Sequence, residues 1–542
     1  MPNPHNTEQR IPRSRDLIAP AASPQSGRKR RTKQPNTAPP RARLRAYFAL
    51  VMLVVLVFSP LLSSDLLWSD YDEVERSPYQ SMTNWQAAWS LESLRQNDPI
   101  SISSYFLEQA IPLPSAAVHH GINILLHLLA AVLLLKSLQA LKLPAAYSAT
   151  LVFALHPATI QALFWSGYRT EIISLIVILS ALYFGIRNRN AADSIATLLF
   201  TALGCLIHPA AYAIPLILAL IIFYQQQKVR LKNFNRVLPL ICISLFFSVW
   251  AGGSADTAGT ETINQFDFAE QLSQAGQNMS FLTRQALLPL NLGLFNTFQP
   301  ANTDGAVDQI NLITVVLLLP LIVLIPCNLR KTWSRAILLG VGSYLLLILY
   351  GVSQNGHFID GTLAHEAHRL YVALPFLVAV LVTGLGSCLQ RIKRGARPLW
   401  LIGISMLLLI EITLTASFAN SIADTNRMWQ QMTERWPDVW QPKAALVDNA
   451  QQADEPSLTA KQVIQHLEFI LKQRPDLIDK RTLLARTFHA DGQNSNAARE
   501  YKRVLRDAEH PGNQLLEEAA QFYDTVNLRW EAVNARQRMQ SE

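Results

Sequence analysis

Charge is scarce in this chain. Asp, Glu, Lys and Arg make up 16% of its 542 residues, where a soluble domain carries about a quarter. The deficit is concentrated between Leu44 and Phe418. There apolar runs of about 20 residues recur, the length a helix needs to cross the hydrocarbon of a bilayer. Cysteine is scarce too. Cys205, Cys242, Cys327 and Cys388 all fall inside apolar runs with no paired spacing, which excludes a disulfide framework or a zinc site. No charge is expected within the apolar cores of the spans. That absence argues against a proton or ion transporter, which places ionisable groups near the midplane.

What charge there is lies unevenly. The formal net charge is +8, and residues 1–45 hold much of the excess, including Arg28-Lys29-Arg30-Arg31. This stretch is rich in Pro, Ser and Asn without an apolar period, so it reads as a disordered basic flank. Its length before the first apolar run fits a cytoplasmic flank that orients a span better than a signal peptide. Anionic membrane lipids are natural partners for it; nucleic acid is not expected.

Eleven spans are expected, near 46–63, 121–140, 145–161, 171–187, 193–207, 210–224, 237–251, 310–327, 336–352, 370–388 and 398–417. Basic residues cluster in alternate loops: Lys136 and Lys142, Arg187 and Arg189, Lys228 to Arg236, Arg330 to Arg335, and Arg391 to Arg397. Positive loops favour the cytoplasm. The N-terminus is then cytoplasmic, and loops 64–118, 252–306 and 353–369 face outward with the C-terminal segment. The expected fold class is all-α. It combines a polytopic membrane helix bundle over 46–417 with a soluble helical domain over 418–542. In that domain Trp436-Pro437-Asp438 recurs as Arg474-Pro475-Asp476, and Pro511 follows. The prolines stand 38 and 36 residues apart, a period that suits tetratricopeptide hairpins. Leu484, Ala485, Gly492, Ala497, Tyr501 and Leu505 are the expected packing positions of one unit. Stacked hairpins would offer a protein-binding groove.

Polar residues at the outer rim are the ones that need explaining. Trp68-Ser-Asp70-Tyr71-Asp72-Glu73 follows the first span. Crowded carboxylates raise one another's pKa, which suits a general base. Asp70 and Asp72 could instead share a divalent cation, or the segment could be a solvated acidic loop. The second span opens on His119 and His120, and Asn123 and His127 lie one turn apart on one face. They line a wet cavity or make packing hydrogen bonds. His156-Pro157, Trp165, Arg169 and Glu171 form a third cluster. Arg169 could grip a phosphate bidentately, or pair with Glu171 or an acid of the first loop. The fourth cluster is His365-Glu366-Ala-His368-Arg369-Leu-Tyr371. Its second His comes one residue too early for a zincin helix, so it points to an anionic headgroup rather than metalloprotease chemistry.

These islands, with Leu288-Pro289 and the helical C-terminus, resemble the transmembrane and tetratricopeptide repeat-containing proteins. That family is a branch of the C-type membrane glycosyltransferases that includes protein O-mannosyltransferases. The resemblance implies transfer of a sugar from a polyprenyl-phosphate donor to a protein or glycan acceptor on the outer face; the extended basic N-terminus is compatible with a bacterial inner membrane. It makes Asp72 or Glu73, with Asp70 beside them, the base. Arg169, Arg369, His368 and His365 would meet the donor phosphate. His119, His120, Asn123, His127, His156, Trp165 and Tyr371 would line the cavity. Gln161 stands where relatives place Glu, and Tyr105 lacks the Arg-Pro that follows it in relatives. The alternative is a non-catalytic scaffold that recruits envelope proteins through its repeats.

Overall fold

The structure, a computed structural model, describes residues 40–66, 81–90, 99–113, 115–226, 234–252, 268–289, 297–298, 328–353, 358–359, 362–364, 367–392, 397–452, 458–508 and 511–541. Two compact units divide the chain, Met1–Ala49 and Leu50–Glu542. The described part is helical. Its helices are α1 (Pro40–Phe58), α2 (Met82–Ala87), α3 (Pro99–Glu108), α4 (Ser115–Ala140), α5 (Ala146–Leu155), α6 (Ile160–Phe164) and α7 (Arg169–Arg187). Then come α8 (Ala191–Ile207), α9 (Ile214–Gln225), α10 (Leu238–Gly252), α11 (Phe268–Leu287), α12 (Thr332–Ser353), α13 (Leu370–Ile392) and α14 (Arg397–Ala423). The C-terminal helices are α15 (Thr425–Arg435), α16 (Trp440–Gln452), α17 (Ala460–Gln473), α18 (Ile478–Ala490), α19 (Asn494–Asp507), α20 (Asn513–Thr525) and α21 (Arg529–Ser541). Short strands β1 (Thr297–Phe298), β2 (Phe358–Ile359) and β3 (Thr362–Ala364) pair antiparallel in the order β1-β3-β2, with Thr297 opposite Ala364 and Phe358 opposite Leu363.

Among the described residues six helices are long and apolar enough to cross a membrane: Leu44–Ser63, Ala116–Ala140, Arg169–Arg187, Thr332–Leu349, Leu370–Cys388 and Pro398–Ala423. The protein is a membrane protein. Shorter apolar helices stand at Ala146–Leu155, Ala191–Ile207, Pro209–Gln225 and Leu238–Ala251. Each overlaps an expected span but is shorter than the six, and the expected span 310–327 lies outside the described residues. The segment 145–161 is not one helix. At 1.5 Å per residue α5 reaches only about 15 Å, half the hydrocarbon thickness, because Pro157 opens a new 3₁₀ turn after His156. Boundaries shift as well. The second long helix begins at Ser115 within the expected loop, and α14 runs to Ala423, past the expected limit at 417.

Burial sorts the spans. Two thirds (67%) of the apolar windows of α7 and α13 are buried against only 17% for α14, so α7 and α13 form the centre and α14 the periphery. Small residues allow the close approach that lipid-embedded helices need. A Cβ on Gly340 of α12 would collide with Val380 of α13, and one on Gly204 of α8 would come within 2.9 Å of Ala211. At the foot of α7, Arg187 pairs with Asp193 of α8. Asn188 turns the chain there in the left-handed region, and Asn190 caps α8 through the Asp193 amide at 3.0 Å.

The absence of charge within the spans does not hold. Glu411 stands at the middle of α14, on the buried stripe formed by Ile404, Thr415, Ala419 and Ile422. It is 5% exposed and its Oε2 has no hydrogen-bond partner among the described residues. One turn on, the Thr415 hydroxyl donates to the Leu155 carbonyl at 2.7 Å, tying this stripe to α5.

Helices α15 to α21 each touch the next in sequence, with Pro437, Pro475 and Pro511 in loops ahead of α16, α18 and α20. Leu484, Ala485, Ala497 and Tyr501 are core residues. Gly492 is not a packing position. It makes the α18–α19 turn at φ +77°, where a side chain would be strained. Val504 fills the core beside Leu505, which is only half-buried. Arg481 and Glu500 form a buried pair at 3.2 Å between α18 and α19.

Candidate functional site at one end of the bundle

Two identical tripeptides shape this end. His156-Pro157-Ala158 follows α5 and His208-Pro209-Ala210 follows α8. In each, Pro supplies the first position of a 3₁₀ turn with its fixed φ and no N–H to satisfy. The preceding His is extended, and its Nδ1 accepts the Ala N–H two residues on, at 3.2 Å in both turns. An Nδ1 that accepts leaves the ring proton on Nε2. In His156 that Nε2 faces the Ala286 carbonyl of α11 at 3.2 Å. In His208 it faces Glu171 Oε1 at 3.4 Å. One local device thus presents one donor to a backbone carbonyl and the other to a carboxylate.

Glu171 lies in the first turn of α7, 6% exposed. His368 Nε2 stands 3.9 Å from the same Oε1, and its ring stacks on Tyr168 at 3.6 Å between centroids. Arg369 follows, half-buried. One carboxylate is therefore flanked by two imidazoles and an adjacent guanidinium. His208 donates a proton toward Glu171, so this group is arranged for hydrogen bonding rather than metal ligation. Among the described residues no set of three His, Cys, Asp or Glu side chains is arranged to hold a metal ion.

The neighbouring cluster is centred on Arg169, which is wholly buried rather than at the rim. Its Nε donates to Asn123 Oδ1 at 2.7 Å and its Nη2 to the His119 carbonyl at 3.2 Å. Its Nη1 donates to Ser104 Oγ at 2.8 Å and pairs with Glu108 Oε1. The second oxygen of Glu108 pairs with His119 Nδ1. Tyr105 completes the enclosure, with the guanidinium carbon 4.6 Å from its ring centroid. Of the two internal partners that the sequence offers Arg169, an acid of the first loop is the one realised. Asn123 Nδ2 donates to the Leu163 carbonyl at 3.1 Å, which leaves its oxygen for Arg169.

Deeper in the bundle, His127 Nε2 donates to the Ala154 carbonyl at 3.0 Å, so its Nδ1 accepts from the Tyr371 hydroxyl at 2.7 Å. Both side chains are fully buried. Asn123 and His127 share a face, as their spacing requires, yet they serve different partners. His120 stacks on Phe164 at 5.6 Å and is fully buried. Trp165 is 5% exposed and packs beside Phe164 and Tyr168. Asp70, Asp72, Glu73 and His365, with the divalent-cation alternative at Asp70 and Asp72, lie outside the described residues.

Glu108, His208 and Tyr168 join the site without having been singled out in the sequence. The repeated His-Pro-Ala was a legible signal for His208. Glu108 had none, being a single acid in the long first loop. A comparison of the chain with the models of known protein families and with the curated proteins finds no match.

Proposed function

We propose that this protein is a membrane glycosyltransferase, moving a sugar from a polyprenyl-phosphate carrier to a protein or glycan acceptor. In this reading eleven spans put the N-terminus in the cytoplasm of a bacterial inner membrane. The site and the tetratricopeptide-like helices then face the periplasm. The observation that carries the reading is the gathering of Glu108, His119, Asn123, Arg169, Glu171, His208, His368 and Arg369 at one end of the bundle. Buried ionisable groups in a membrane protein are costly and mark function.

Asp72 or Glu73 takes the proton of the acceptor hydroxyl. Asp70 beside them supports the base or shares a divalent cation with Asp72. The freed oxygen forms a bond to the anomeric carbon. The bond from that carbon to the donor phosphate oxygen breaks, and its electron pair leaves on the polyprenyl phosphate. Negative charge grows on that phosphate, and fixed donors aimed at it lower the barrier. Arg369 and His368, with His365 on the same segment, supply donors on one side and Arg169 on the other. Glu171 and His208 hold His368 in place.

The test is the glycoform profile of envelope proteins and glycolipids in cells carrying the native chain or Asp72→Asn at equal insertion. Loss of one glycoform supports transfer. An unchanged profile, with a phenotype that follows only removal of 424–542, favours the scaffold reading. The exposed Trp530 and Val533 of α21, at 73% and 51%, suit partner recruitment in that case.

A further inference from the structure

The contacts of Arg169 divide into two kinds. Asn123 Oδ1 and the His119 carbonyl both come from α4 and hold the guanidinium from within the bundle. Ser104 and Glu108 come from α3, in the segment between the first two long helices. Removing α3 would leave the guanidinium still aimed by α4, with the His119 ring beside it. What α3 adds is one carboxylate whose Oε1 takes Arg169 and whose Oε2 lies against His119 Nδ1. All three groups are at least nine-tenths buried: Arg169 0%, His119 3% and Glu108 5% exposed.

A buried ion pair contributes little net stability over apolar packing, because desolvation of both charges offsets their attraction. The pair is better explained by what the cationic half can hold. A phosphate mono- or diester, like a carboxylate, presents two equivalent anionic oxygens on one side. An arginine fork with a second donor accepts either. The carboxylate sits at the exposed end of α3. Leu107, beside Glu108, is 68% exposed, and residues 109–113 are all exposed. The start of α3 is anchored differently, by Ile100 packed against Ile173, Val177 and Ile207. A pivot about Ile100 would lift Glu108 away and leave the apolar anchor in place.

We infer that Arg169 and His119 form a site for the phosphate of a lipid-linked donor, and that Glu108 is its built-in competitor, a carboxylate that the phosphate must displace. This rests on the transferase reading for the identity of the ligand and adds to it a resting state that is closed. The closed state keeps the buried cation neutralised until a phosphate arrives, at the cost of weaker apparent binding, since only the open fraction is competent.

The test uses the full chain in nanodiscs with polyprenyl monophosphate as probe and inorganic phosphate as a second arm. Glu108→Gln keeps the shape of the side chain and removes its charge. It should bind polyprenyl phosphate at least tenfold more tightly than the native chain. Adding Arg169→Gln should abolish that gain. Glu108→Asp, which draws the carboxylate back by one methylene, should give a smaller gain in the same direction and serves if Glu108→Gln does not insert. An equal gain for inorganic phosphate assigns the site to the phosphate group alone; a gain confined to the polyprenyl form assigns it to the lipid. No gain in either folded variant, with either probe, overturns the competitor role and leaves a structural ion pair. The outcomes separate from those of the transferase test. A tenfold gain with an unchanged Asp72→Asn glycoform profile keeps the phosphate site and removes the sugar transfer. No gain with a lost glycoform does the reverse.

Discussion

The Tyr371 hydroxyl donates to His127 Nδ1 at 2.7 Å, across 244 residues of sequence, and joins the centre of α4 to the start of α13. The imidazole is saturated, because its other nitrogen donates to Ala154. Tyr371→Phe would leave a fully buried acceptor without a donor, a loss of about 1–3 kcal/mol. The thermal midpoint of the detergent-solubilised chain should fall by several degrees, with helical content unchanged. An unchanged midpoint would mean that water reaches His127.

Arg169 and Glu108 should behave as a unit. Arg169→Met alone strands a buried carboxylate and should cost about 3–5 kcal/mol. Arg169→Met with Glu108→Leu should recover most of that loss, since both charges are then gone. A double-mutant cycle on thermal midpoints reads the coupling. Additive effects would show that the two side chains are not partners in the bilayer.

Glu411 predicts an effect of the opposite sign. It is buried, and among the described residues its Oε2 has no hydrogen-bond partner. A carboxyl in that position costs free energy whether charged or neutral. Glu411→Leu should therefore raise the thermal midpoint, and Glu411→Gln should leave it near the native value. A fall with Leu would reveal a polar partner in the assembled membrane.

The C-terminal helices should loosen as pH falls. Burial, with a smaller contribution from nearby Lys443, holds the His466 pKa below the usual 6.5. A hydrogen bond from Arg486 holds Glu518 below the usual 4.5. Both folded values are depressed, so the unfolded segment binds more protons on acidification. The stability each group contributes is complete above its unfolded value and declines as pH drops through the folded one. Hydrogen exchange in the full chain should show protection of α17 declining below pH 6.5. Protection of α20 should hold until below 4.5 and then decline. Protection that rises on acidification would contradict both assignments.

Several parts of this arrangement were open to reading from the residues alone. The length of apolar runs located the six described helices that are long and apolar enough to cross a bilayer, since such a run declares itself locally, whereas the less apolar α11 fell within an expected loop. Spacing put Asn123 and His127 on one face. Proline marked breaks between helices at 437, 475 and 511. Other parts were misread for equally local reasons. Glu411 was overlooked because one acid barely lowers the hydropathy of a long run. Arg169 stood in a short turn between apolar segments and so looked exposed. Gly492 fell at a packing position of the repeat, but it serves the turn.

The chain's own pattern determined that this is a membrane protein of apolar helices with an amphipathic helical C-terminus. Run length and period are properties of consecutive residues and need no partner. Which polar groups meet was decided only by the packing of α3, α4, α7, α8 and α13 around one another. That packing buries Arg169 against Glu108, turns His208 toward Glu171 and brings Tyr371 to His127. The meaning of a buried charge lies in its neighbours, and in a helix bundle those neighbours come from segments far apart in the chain.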